Sequence, residues 1–364
     1  MRWRDLILGA TVVTLGGAGA TALGLQQMGS MEVYNQRMAQ LRATLQDFQE
    51  ARDLVRYATL AANSHNSQPW LFKLEQSGVS ILPDMTRCLS AVDPDNHHLF
   101  VSLGCAVENL SLAAAMRGRG GTHSFEEANG GSVRFTFGGE KLATPALFEA
   151  IPKRQSTRGL FDGRAVSAEV LRNLAASVKG DAVDLVLITD KPQMNKIRDL
   201  IIAGNTQQMA DGAFMRELKH WLRFNPREAL KSGDGLFSAT SGNPVFPTWL
   251  GSSLFDLAFK PDVENDKYAR QIASSAGIAV FSARENGAEH WVAVGRASQR
   301  FALQATALGL KHAYLNQPVE VTSLRPELAT LIGLEGRRPD LVMRFGYGPA
   351  QPFSARRPVS AVLV

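Results

Sequence analysis

The sequence predicts an α+β fold built from two pseudo-repeated halves, each with a mixed or antiparallel sheet flanked by helices. Runs with apolar residues at every second position, typical of strands, alternate along the chain with runs in which apolar residues recur every three or four positions, typical of helices. Two long alanine-rich helical runs can also be superimposed on one another. With 364 residues, 45% of them hydrophobic and 20% charged, the chain has the length and composition of a globular protein with sizeable cores.

The internal repeat relates the two long helical runs. They match when the sequence is shifted by 191 positions, which places Val101 on Val292. The same shift aligns four further pairs: Gly104 with Gly295, Leu112 with Leu303, Ala114 with Ala305, and Gly118 with Gly309. Strand-forming residues precede each run, and the glycines keep the register at both ends. We interpret the match as a duplication; the alternative is a chance likeness between two amphipathic helices.

Residues 1–30 are predicted to be an export signal or signal anchor that is separate from the fold. Arg2 and Arg4 precede an uncharged stretch, residues 6–25, that is rich in Gly, Ala and Thr. The start resembles a twin-arginine signal, although Trp3 splits the arginine pair. The stretch is long enough to span a bilayer, but its glycines make it a weak transmembrane helix. We therefore expect an exported protein, periplasmic or membrane-anchored facing the periplasm; a buried N-terminal helix is the alternative.

The first half is assigned to residues 31–144. Its expected elements are helical structure over 31–62, a hairpin of strands Trp70–Leu74 and Val79–Leu82, a helix over Val101–Met116 and a strand over Ser132–Phe137. The turn at 93–96 is expected to cap that long helix. His97 and His98 are expected to lie in a solvated turn rather than to bind a metal.

The second half is assigned to residues 145–364. Its expected elements are a helix from Ser167 to Val178, a strand over Val183–Ile188, mostly helical structure over 195–223, a strand over Gly277–Ala283, a helix over Trp291–Leu308 and a strand over Asp340–Phe345. Residues 225 to about 262, rich in Gly, Pro, Ser and aromatic residues, are expected to form an irregular, lid-like insertion. A loop this long in a globular domain is more often a lid or binding loop than filler.

Composition and missing motifs exclude several function classes. The excess of 39 basic over 34 acidic residues is small and scattered, so no nucleic-acid-binding stripe is expected. The sequence contains no dinucleotide-binding Gly-x-Gly-x-x-Gly, no P-loop and no His or Cys spacing of a metal site. Ser64 and His65 are adjacent in the chain, and the side chains of adjacent residues rarely face each other. A nucleophile–base pair of these two residues is therefore disfavoured. Cys105 is expected to be a buried free thiol; a disulfide with Cys88 is the alternative.

Three polar clusters are candidates for ligand binding. The first is Asn63-Ser64-His65-Asn66-Ser67-Gln68-Pro69-Trp70, a polar turn between a helix end and a strand start. The second, Arg154-x-Ser156-x-Arg158, lets three side chains project to one side and suits bidentate phosphate binding. The third is the pair Arg356-Arg357. Taken alone, each cluster is also what an ordinary turn or a solvated run of charges looks like.

Together these clusters resemble the motifs of the nitroreductase family of FMN-dependent oxidoreductases, and in particular its duplicated, exported branch, the Acg-type proteins described in mycobacteria. The segment 66–70 matches the family's Asn-x-Gln-Pro-Trp, and the segment 154–158 matches its Arg-x-Ser-x-Arg/Lys. The segment 354–358 resembles, less sharply, the family's basic pair near the C-terminus. The resemblance covers nearly the whole chain after about residue 50 and implies a nitroreductase-like fold that binds FMN. In the family, the arginine–serine motif binds the flavin phosphate and ring, and the asparagine motif contacts the same flavin from the other subunit of a dimer.

Each of these two motifs occurs once, and they lie in opposite halves. A two-site dimer fused into one chain, with one site lost, would leave this pattern, so we predict one FMN per chain between the halves of a pseudo-dimeric monomer. The predicted contacts are Arg154, Ser156, Arg158, Arg356 and Arg357 from one half and Asn63, Ser64 and Asn66 from the other. By the resemblance, Asn316 and Gln317 fall where the family's backbone amide approaches flavin N5.

The resemblance implies an enzyme that passes hydride or electrons to a small acceptor, a quinone or a nitro compound, since the flavin carries the chemistry. NAD(P)H is the expected donor, although an exported enzyme would meet little nicotinamide and a different donor stays open. No side chain is required as an acid or base, so no catalytic residue is assigned, and His65 has no assigned role. The alternatives are a non-catalytic FMN-binding or storage protein whose lid blocks substrate, and a degenerate structural protein without flavin. Retention of all three motifs argues against the last.

Overall fold

The computed structural model describes residues 28–45, 50–138, 144–178, 180 and 182–364. The predicted export segment, residues 1–30, lies outside the described residues except for its last three positions, so it stays a prediction. The helical structure expected over 31–62 also crosses a stretch, 46–49, that lies outside them.

The first half contains two shorter helices, one long helix and a four-stranded sheet. Their bounds are α1 Met31–Arg42, α2 Ala51–Ala58, β1 Trp70–Glu75, β2 Gly78–Pro83, α3 His97–Met116, β3 Gly121–Glu126 and β4 Ser132–Phe137. The predicted hairpin and the strand at 132–137 are confirmed. The expectation of helical structure throughout 31–62 is wrong, because α1 ends at Arg42. At this end of α1 the side chain of Arg56 donates hydrogen bonds to carbonyl groups that have no partner within the helix, Leu41 O at 2.9 Å and Ala43 O at 2.7 Å.

The second half contains a second four-stranded sheet, a two-stranded ribbon and most of the helices. Their bounds are α4 Pro145–Ala150, α5 Ala168–Ser177, β5 Val183–Ile188, α6 Lys191–Ala210, α7 Gly212–Trp221, β6 Leu222–Arg223, α8 Pro226–Ser232, β7 Leu236–Phe237, α9 Thr248–Ala258, α10 Pro261–Ala273, β8 Gly277–Ala283, α11 Ala288–Ala307, β9 Lys311–Tyr314, α12 Gln317–Glu320, α13 Arg325–Leu331 and β10 Leu341–Gly346. The strands predicted at 183–188 and 277–283 are confirmed.

Both four-stranded sheets are antiparallel and share one strand order. The order is β1-β2-β4-β3 in the first sheet and β5-β8-β10-β9 in the second. In each sheet the long helix follows the strand that is second in the chain, α3 after β2 and α11 after β8. The small ribbon pairs β6 with β7 in parallel. The predicted α+β fold, with a sheet in each half, is confirmed.

The two long helices, α3 and α11, pack directly against each other within the largest apolar core. A Cβ atom on Gly104 would overlap the carbonyl oxygen of Val292, and a Cβ on Gly295 would overlap that of Val101. These pairs are the ones that the shift of 191 positions aligns, so the close contact is reciprocal, as around a local twofold axis. Only glycine allows two helix backbones to approach this closely.

The same two helices end alike. Gly118 after α3 has φ 66° and Gly309 after α11 has φ 77°, a left-handed backbone conformation that favours glycine. In both cases the residue after the glycine donates its N–H to the carbonyl five positions earlier. The glycines that keep register in the sequence therefore have the same conformational role in both halves.

Two chain segments extend the sheets at their edges. The C-terminal tail runs parallel to β1: Phe72 N donates to Val362 O at 2.7 Å and Val364 N donates to Phe72 O at 3.0 Å. The segment around Ser156 pairs in parallel with His312 of β9. The tail thus ties the end of the second half to the first sheet.

The expectation of solvated histidines before α3 is wrong, because this helix begins at His97 and both imidazoles are buried. His97 and His98 are 1% and 4% exposed. Their rings meet carboxylates of the second half: His97 Nε2 lies 2.9 Å from Asp340 Oδ1, and His98 Nε2 lies 3.3 Å from Glu320 Oε1. The predicted cap is confirmed, since the carboxylate of Asp93 accepts from the N–H groups of His98 and the next residue at 2.9 Å each.

The expectation that the insertion at 225–262 is irregular is wrong in part, because it contains α8 and α9 and reaches into α10. Asn225 caps α8 by accepting from Glu228 N at 2.9 Å. Pro226 is the first helical residue, and Gly233, with φ 68°, follows the last. Proline and glycine act here as helix start and stop signals rather than as breakers.

In the described part of the chain one helix, α3, is long and apolar enough to cross a membrane by length and composition. However, 89% of its apolar window is buried inside the protein, which is the environment of a central core helix.

Candidate functional site

A cavity of about 270 Å³ lies between the two halves, just below the range of about 300–1,000 Å³ for small-molecule sites. Residues that line it from the first half are Ala62, Asn63, Ser64, His65, His98, Val101, Ser102 and Cys105. Residues that line it from the start of the second half and from the end of β9 onwards are Ser156, Arg158, Tyr314, Asn316, Gln317 and Glu320. A smaller polar pocket of about 30 Å³ continues the cavity and shares Ala62, Asn63, Ser156 and Arg158 with it.

A larger groove, of about 800 Å³, lies on the outer face beside α1 and the tail. It shares Arg356 with the smaller pocket but contains neither the asparagine turn nor Ser156 and Arg158. The motif residues therefore select the cavity of about 270 Å³ between the halves rather than the larger groove.

The polar turn 63–70 forms one wall of the cavity and joins α2 to β1, as predicted. Its backbone is left-handed at His65, Asn66 and Gln68, with φ of 47°, 53° and 54°. Such angles are uncommon for residues other than glycine and cluster at ligand sites. Asn63 closes the turn, because its Oδ1 accepts from Gln68 N at 2.9 Å.

Four arginines surround the smaller pocket: Arg42, Arg154, Arg158 and Arg356. The first, second and fourth are buried, and Arg158 is partly buried. Among the described residues that line this pocket there is no Asp or Glu, and none of the four guanidiniums forms an ion pair within the described ranges. Buried cations without a counter-charge are costly, so their clustering indicates an anionic ligand.

Backbone carbonyls at the C-terminal end of α2 hold two of these arginines in place. Arg154 Nη2 donates to Leu60 O at 3.2 Å, and Arg356 donates from Nε to Thr59 O at 2.7 Å and from Nη2 to Ala61 O at 3.1 Å. Carbonyls at a helix C-terminus lack intrahelical partners and carry the negative end of the helix dipole. Arg154 nevertheless keeps its Nε and Nη1 buried without a partner. These N–H groups remain for a ligand.

Burial lowers the pKa of all four guanidiniums, and the positive charge of Arg154 lowers the pKa of Arg42, Arg158 and Arg356 further. The pKa of Arg356 falls to about 9 from these two causes. An anion among the four would relieve both the desolvation and the mutual repulsion. The phosphate of FMN, the cofactor that the resemblance implies, fits this pocket because it supplies two negative charges to the unpartnered N–H groups.

Nine of the ten predicted contacts line the cavity or its continuation; they are Asn63, Ser64, Asn66, Arg154, Ser156, Arg158, Asn316, Gln317 and Arg356. Contact between these residues and a flavin stays a prediction. Arg357 is the tenth and lies elsewhere. Its guanidinium contacts Asp84 Oδ2 at 3.4 Å and donates to Ala361 O at 2.7 Å, and it lines the outer groove. The structure therefore does not bring Arg357 together with the other nine.

Asn66 has a second role that the sequence does not indicate. Its Nδ2 donates to Gly235 O at 3.0 Å and to Ala355 O at 3.1 Å, and its Oδ1 accepts from Arg356 Nη1 at 2.7 Å. One side chain thereby joins the polar turn, the insertion and the C-terminal tail around the arginine pocket.

Arg42 is a site residue that sequence reasoning missed. Its Nη1 donates to Pro152 O at 3.0 Å and to Arg154 O at 3.2 Å, while its Nε is buried without a partner. In the sequence it is a basic residue in the last turn of a helix, where cations are common for the helix dipole alone. No local signal distinguishes it from a surface arginine.

The insertion supplies the apolar wall of the cavity. The lining residues from this segment and from α7 before it are Phe214, Leu218, Leu222, Leu236, Phe237, Phe255 and Phe259. The insertion is fastened to the polar turn: Gly235 N donates to Asn66 O at 3.1 Å, and Gln68 Nε2 donates to Gly233 O at 2.9 Å. An apolar wall opposite a polar one suits a planar, heteroatom-rich ring.

Within the described ranges, no group of three or more His, Cys, Asp or Glu side chains could hold a metal ion. Cys105 lines the cavity as a buried thiol whose Sγ donates to Gly295 O at 3.2 Å.

The sequence is similar to those of known proteins along most of its length. No family model matches it. Over 328 residues the chain is 23% identical to a protein of Mycobacterium tuberculosis named "Putative NAD(P)H nitroreductase", covering 87% of this chain and 92% of the relative. It is 24% identical over 328 residues to a second protein of that organism, acg, which carries the same name, covering 85% of this chain and 94% of the relative.

Solved structures similar to this chain include a nitroreductase with bound FMN from Desulfitobacterium hafniense. It has 15% identity and a TM-score of 0.38, and the match covers 59% of this chain and 95% of that one. Another is the FMN-dependent nitroreductase NfnB from Mycobacterium smegmatis in complex with NADPH, with 13% identity, a TM-score of 0.37, and coverage of 56% of this chain and 87% of that one.

Proposed function

We propose that this chain is an FMN-dependent oxidoreductase of the nitroreductase type that passes hydride or electrons to a small acceptor such as a quinone or a nitro compound. The observation that carries the proposal is that the two motifs from opposite halves line one cavity, which continues into a pocket of arginines without a carboxylate. The names of the mycobacterial relatives support the same activity.

The residues divide the binding between the two ends of the cavity. Arg154 and Arg42, with their unpartnered buried N–H groups, and Arg158, which lines both pockets, would hold the phosphate. Asn63 and Ser156, which line both pockets, would contact the flavin between its phosphate and its ring. When bound, FMN supplies the two-electron chemistry, and the chain binds it, orients it and excludes water.

We further propose one FMN per chain, at the interface of two halves that arose by duplication. The shared strand order of the two sheets and the reciprocal crossing of α3 and α11 support the duplication. The presence of each motif in only one half supports a single site. NAD(P)H, which the relatives' names mention, is the proposed donor. Export through residues 1–30 is part of the proposal on the sequence pattern alone.

A second candidate function is FMN storage without catalysis. The observation that favours it is the insertion, which lines the cavity with four apolar side chains, Leu236, Phe237, Phe255 and Phe259, and is fastened to the polar turn at Gly233 and Gly235. A cover held this way would slow the entry of an acceptor, although it would not affect flavin binding.

One experiment on the purified full-length protein separates the two functions. Flavin content is measured first, and bound flavin is then mixed anaerobically with NADPH or NADH, followed by a quinone. Bleaching of the flavin by the nicotinamide and its recovery with quinone would support the oxidoreductase. Storage would be favoured if the protein contains stoichiometric FMN that a nicotinamide does not reduce and that quinone does not reoxidise after reduction with dithionite. A folded protein without flavin would contradict both functions.

A further inference from the structure

The cavity has a titratable region that is separate from the arginine pocket. His65, His98 and Glu320 line the cavity of about 270 Å³ between the halves, but they do not line the smaller arginine pocket that continues it. They come from three different elements: the polar turn, α3 and α12. Neither the proposed phosphate contacts nor the proposed ring contacts use these side chains.

His98 and Glu320 form a buried ion pair. His98 Nε2 lies 3.3 Å from Glu320 Oε1, and the side chains are 5% and 15% exposed. The second carboxylate oxygen of Glu320 accepts from Gln208 Nε2 at 2.6 Å. The carboxylate is therefore fixed on both oxygens, and it fixes one nitrogen of the imidazole.

The groups around His98 favour the positively charged form of its imidazole. Burial alone would lower the pKa of His98, but the hydrogen bond to Glu320 and the negative charges of Asp93 and Glu320 raise that pKa above its ordinary value, against the opposing charge of Arg338. The adjacent ring of His97, with its centroid 4.7 Å away, stays neutral because burial and then the charge of His98 hold its pKa well below the usual range.

Glu320 is the matching anion. Burial would raise the pKa of Glu320, but the hydrogen bond and charge of His98 and the hydrogen bond from Gln208 bring that pKa below its ordinary value. Both shifts therefore favour the ionised pair, an imidazolium beside a carboxylate, at neutral pH.

The other proton-bearing groups of the cavity are less suited to proton donation. Burial lowers the pKa of His65 to about 4, so its imidazole is neutral and its buried Nδ1 has no partner. Burial raises the pKa of Tyr268 above its ordinary value. Lys267, whose side chain is 27% exposed, is paired with Glu264 at 3.1 Å. His98 thus combines a positive charge, burial and a place in the cavity wall.

We propose that His98 is a catalytic residue that donates a proton to the acceptor, and that Glu320 is a positioning residue that holds the imidazolium; this rests on the proposed oxidoreductase function. Reduction of a quinone to a hydroquinone takes up two electrons and two protons. The hydride, which reduced FMN would supply when bound and would be oxidised by losing, carries both electrons and one proton. The second proton leaves His98, whose N–H bond breaks as the hydroquinone O–H bond forms, and the neutral imidazole is reprotonated from solvent.

The test compares two oxidants of the reduced holoprotein by stopped-flow absorbance. Benzoquinone requires protons, whereas ferricyanide takes one electron at a time and no proton. In His98→Gln the ratio of the quinone rate to the ferricyanide rate is expected to fall about 100-fold, the usual contribution of a positioned acid. An unchanged ratio in a variant that retains one FMN would overturn the inference and leave the proposed function intact. Wild-type protein without flavin would overturn both.

Two further variants separate proton donation from a structural effect. His97→Gln removes an equally buried imidazole that also pairs with a carboxylate but does not line the cavity, so its rate ratio is expected to match wild type. An equal fall in this variant would contradict the inference.

Glu320→Gln preserves the shape at that position and removes the charge that raises the pKa of His98. In wild type the quinone rate should fall as pH rises through the pKa of His98, because the donor loses its proton. In Glu320→Gln the midpoint of that fall should move to lower pH. A midpoint that stays in place would contradict the inference, even if His98→Gln failed to fold.

Discussion

Two arginine clusters of this molecule differ in what neutralises them. Around the smaller pocket, Arg42, Arg154 and Arg356 are buried, and no carboxylate lines the pocket among the described residues. Beside the α3–α11 crossing, Arg296 and Arg300 instead share one buried carboxylate, with Glu108 at 3.1 and 2.7 Å. The comparison teaches that the second cluster has its counter-charge within the chain, whereas the first has none among the described residues and suits an anion from outside.

The repeat places the second cluster opposite residues that support the cavity. The shift of 191 positions puts Glu108 on Gln299 and Asn109 on Arg300. The ion pair Arg300–Glu108, at 2.7 Å, therefore corresponds to the amide pair Asn109–Gln299, also at 2.7 Å. Gln299 further accepts from Ala62 N at 3.2 Å, at the edge of the cavity. In the proposed duplication, the ion pair therefore occupies the position that corresponds to the amide pair beside the cavity.

The largest expected effect concerns the cluster that lacks a carboxylate. Arg154→Ala removes the unpartnered Nε and Nη1, and with them up to two charge-assisted hydrogen bonds of about 1.5–3 kcal/mol each. The Kd of FMN, measured by flavin fluorescence titration, is expected to rise about 1,000-fold. Arg357→Ala is the matched control, because Arg357 lies outside the cavity; its Kd should stay near wild type. An equal loss of FMN affinity in Arg154→Ala and Arg357→Ala would contradict the proposed phosphate site.

The paired cluster should respond in stability rather than in flavin binding. Glu108→Gln leaves the partly exposed Arg296 and Arg300 without a counter-charge, and weakening their two charge-assisted hydrogen bonds to the buried carboxylate is expected to cost about 3 kcal/mol in total. Urea unfolding should show that loss, while the ratio of FMN to chain stays unchanged. Adding Arg300→Asn recreates the amide pair of the other half and should recover part of the stability. Loss of FMN in Glu108→Gln would remove the distinction between the two clusters.

The helix crossing between the two halves should tolerate no side chain. Gly104→Ala places a methyl group against the Val292 carbonyl and should reduce the free energy of unfolding by about 2 kcal/mol, because overpacking forces backbone shifts. Gly212→Ala is the control: its Cβ would meet only the end of the flexible Arg216 side chain, at 3.3 Å. Thermal unfolding measures both, and similar Tm values for the two variants would contradict the close crossing.

The smallest expected effect is at Asn66, where the two sides of the flavin site are joined. Asn66→Ala removes the acceptor of Arg356 and the link to Gly235, so Arg356 is less well held. FMN affinity is expected to fall about tenfold, the equivalent of one hydrogen bond of about 1.4 kcal/mol, without unfolding. Retained affinity together with a wild-type circular dichroism spectrum would exclude Asn66 from the support of the site.

The sequence predicts those parts of the fold that local patterns control. The strand at 277–283 is a continuous apolar run and is buried throughout, so its bounds are predicted correctly. The strand β3, at 121–126, is mostly exposed and polar, and β9, at 311–314, is only four residues long, so neither shows a clear period. Helix α8 of the insertion is not predicted because its proline and glycine, Pro226 and Gly233, lie at its two ends, where they favour a helix.

The residues of the candidate site also divide into those that the sequence predicts and those that it does not. The motif residues Asn63, Ser156 and Arg158 are recognisable because their types and spacing suit a phosphate and a heterocycle, and they line one cavity. Arg42 and the pair of His98 with Glu320 were missed, because their roles arise only from tertiary contacts between residues far apart in the chain. Arg357 was selected with Arg356 as the basic pair near the C-terminus, yet adjacent residues of an extended segment point to opposite sides.

The stoichiometry of FMN tests the central claim most directly. The flavin released by denaturing the purified full-length protein is quantified by absorbance against the protein concentration, for wild type and for Arg154→Ala in parallel. One FMN per chain in wild type, and little or none in the variant, is the result that a single site between the halves predicts. Two FMN per chain, or none in a folded wild-type sample, would contradict it.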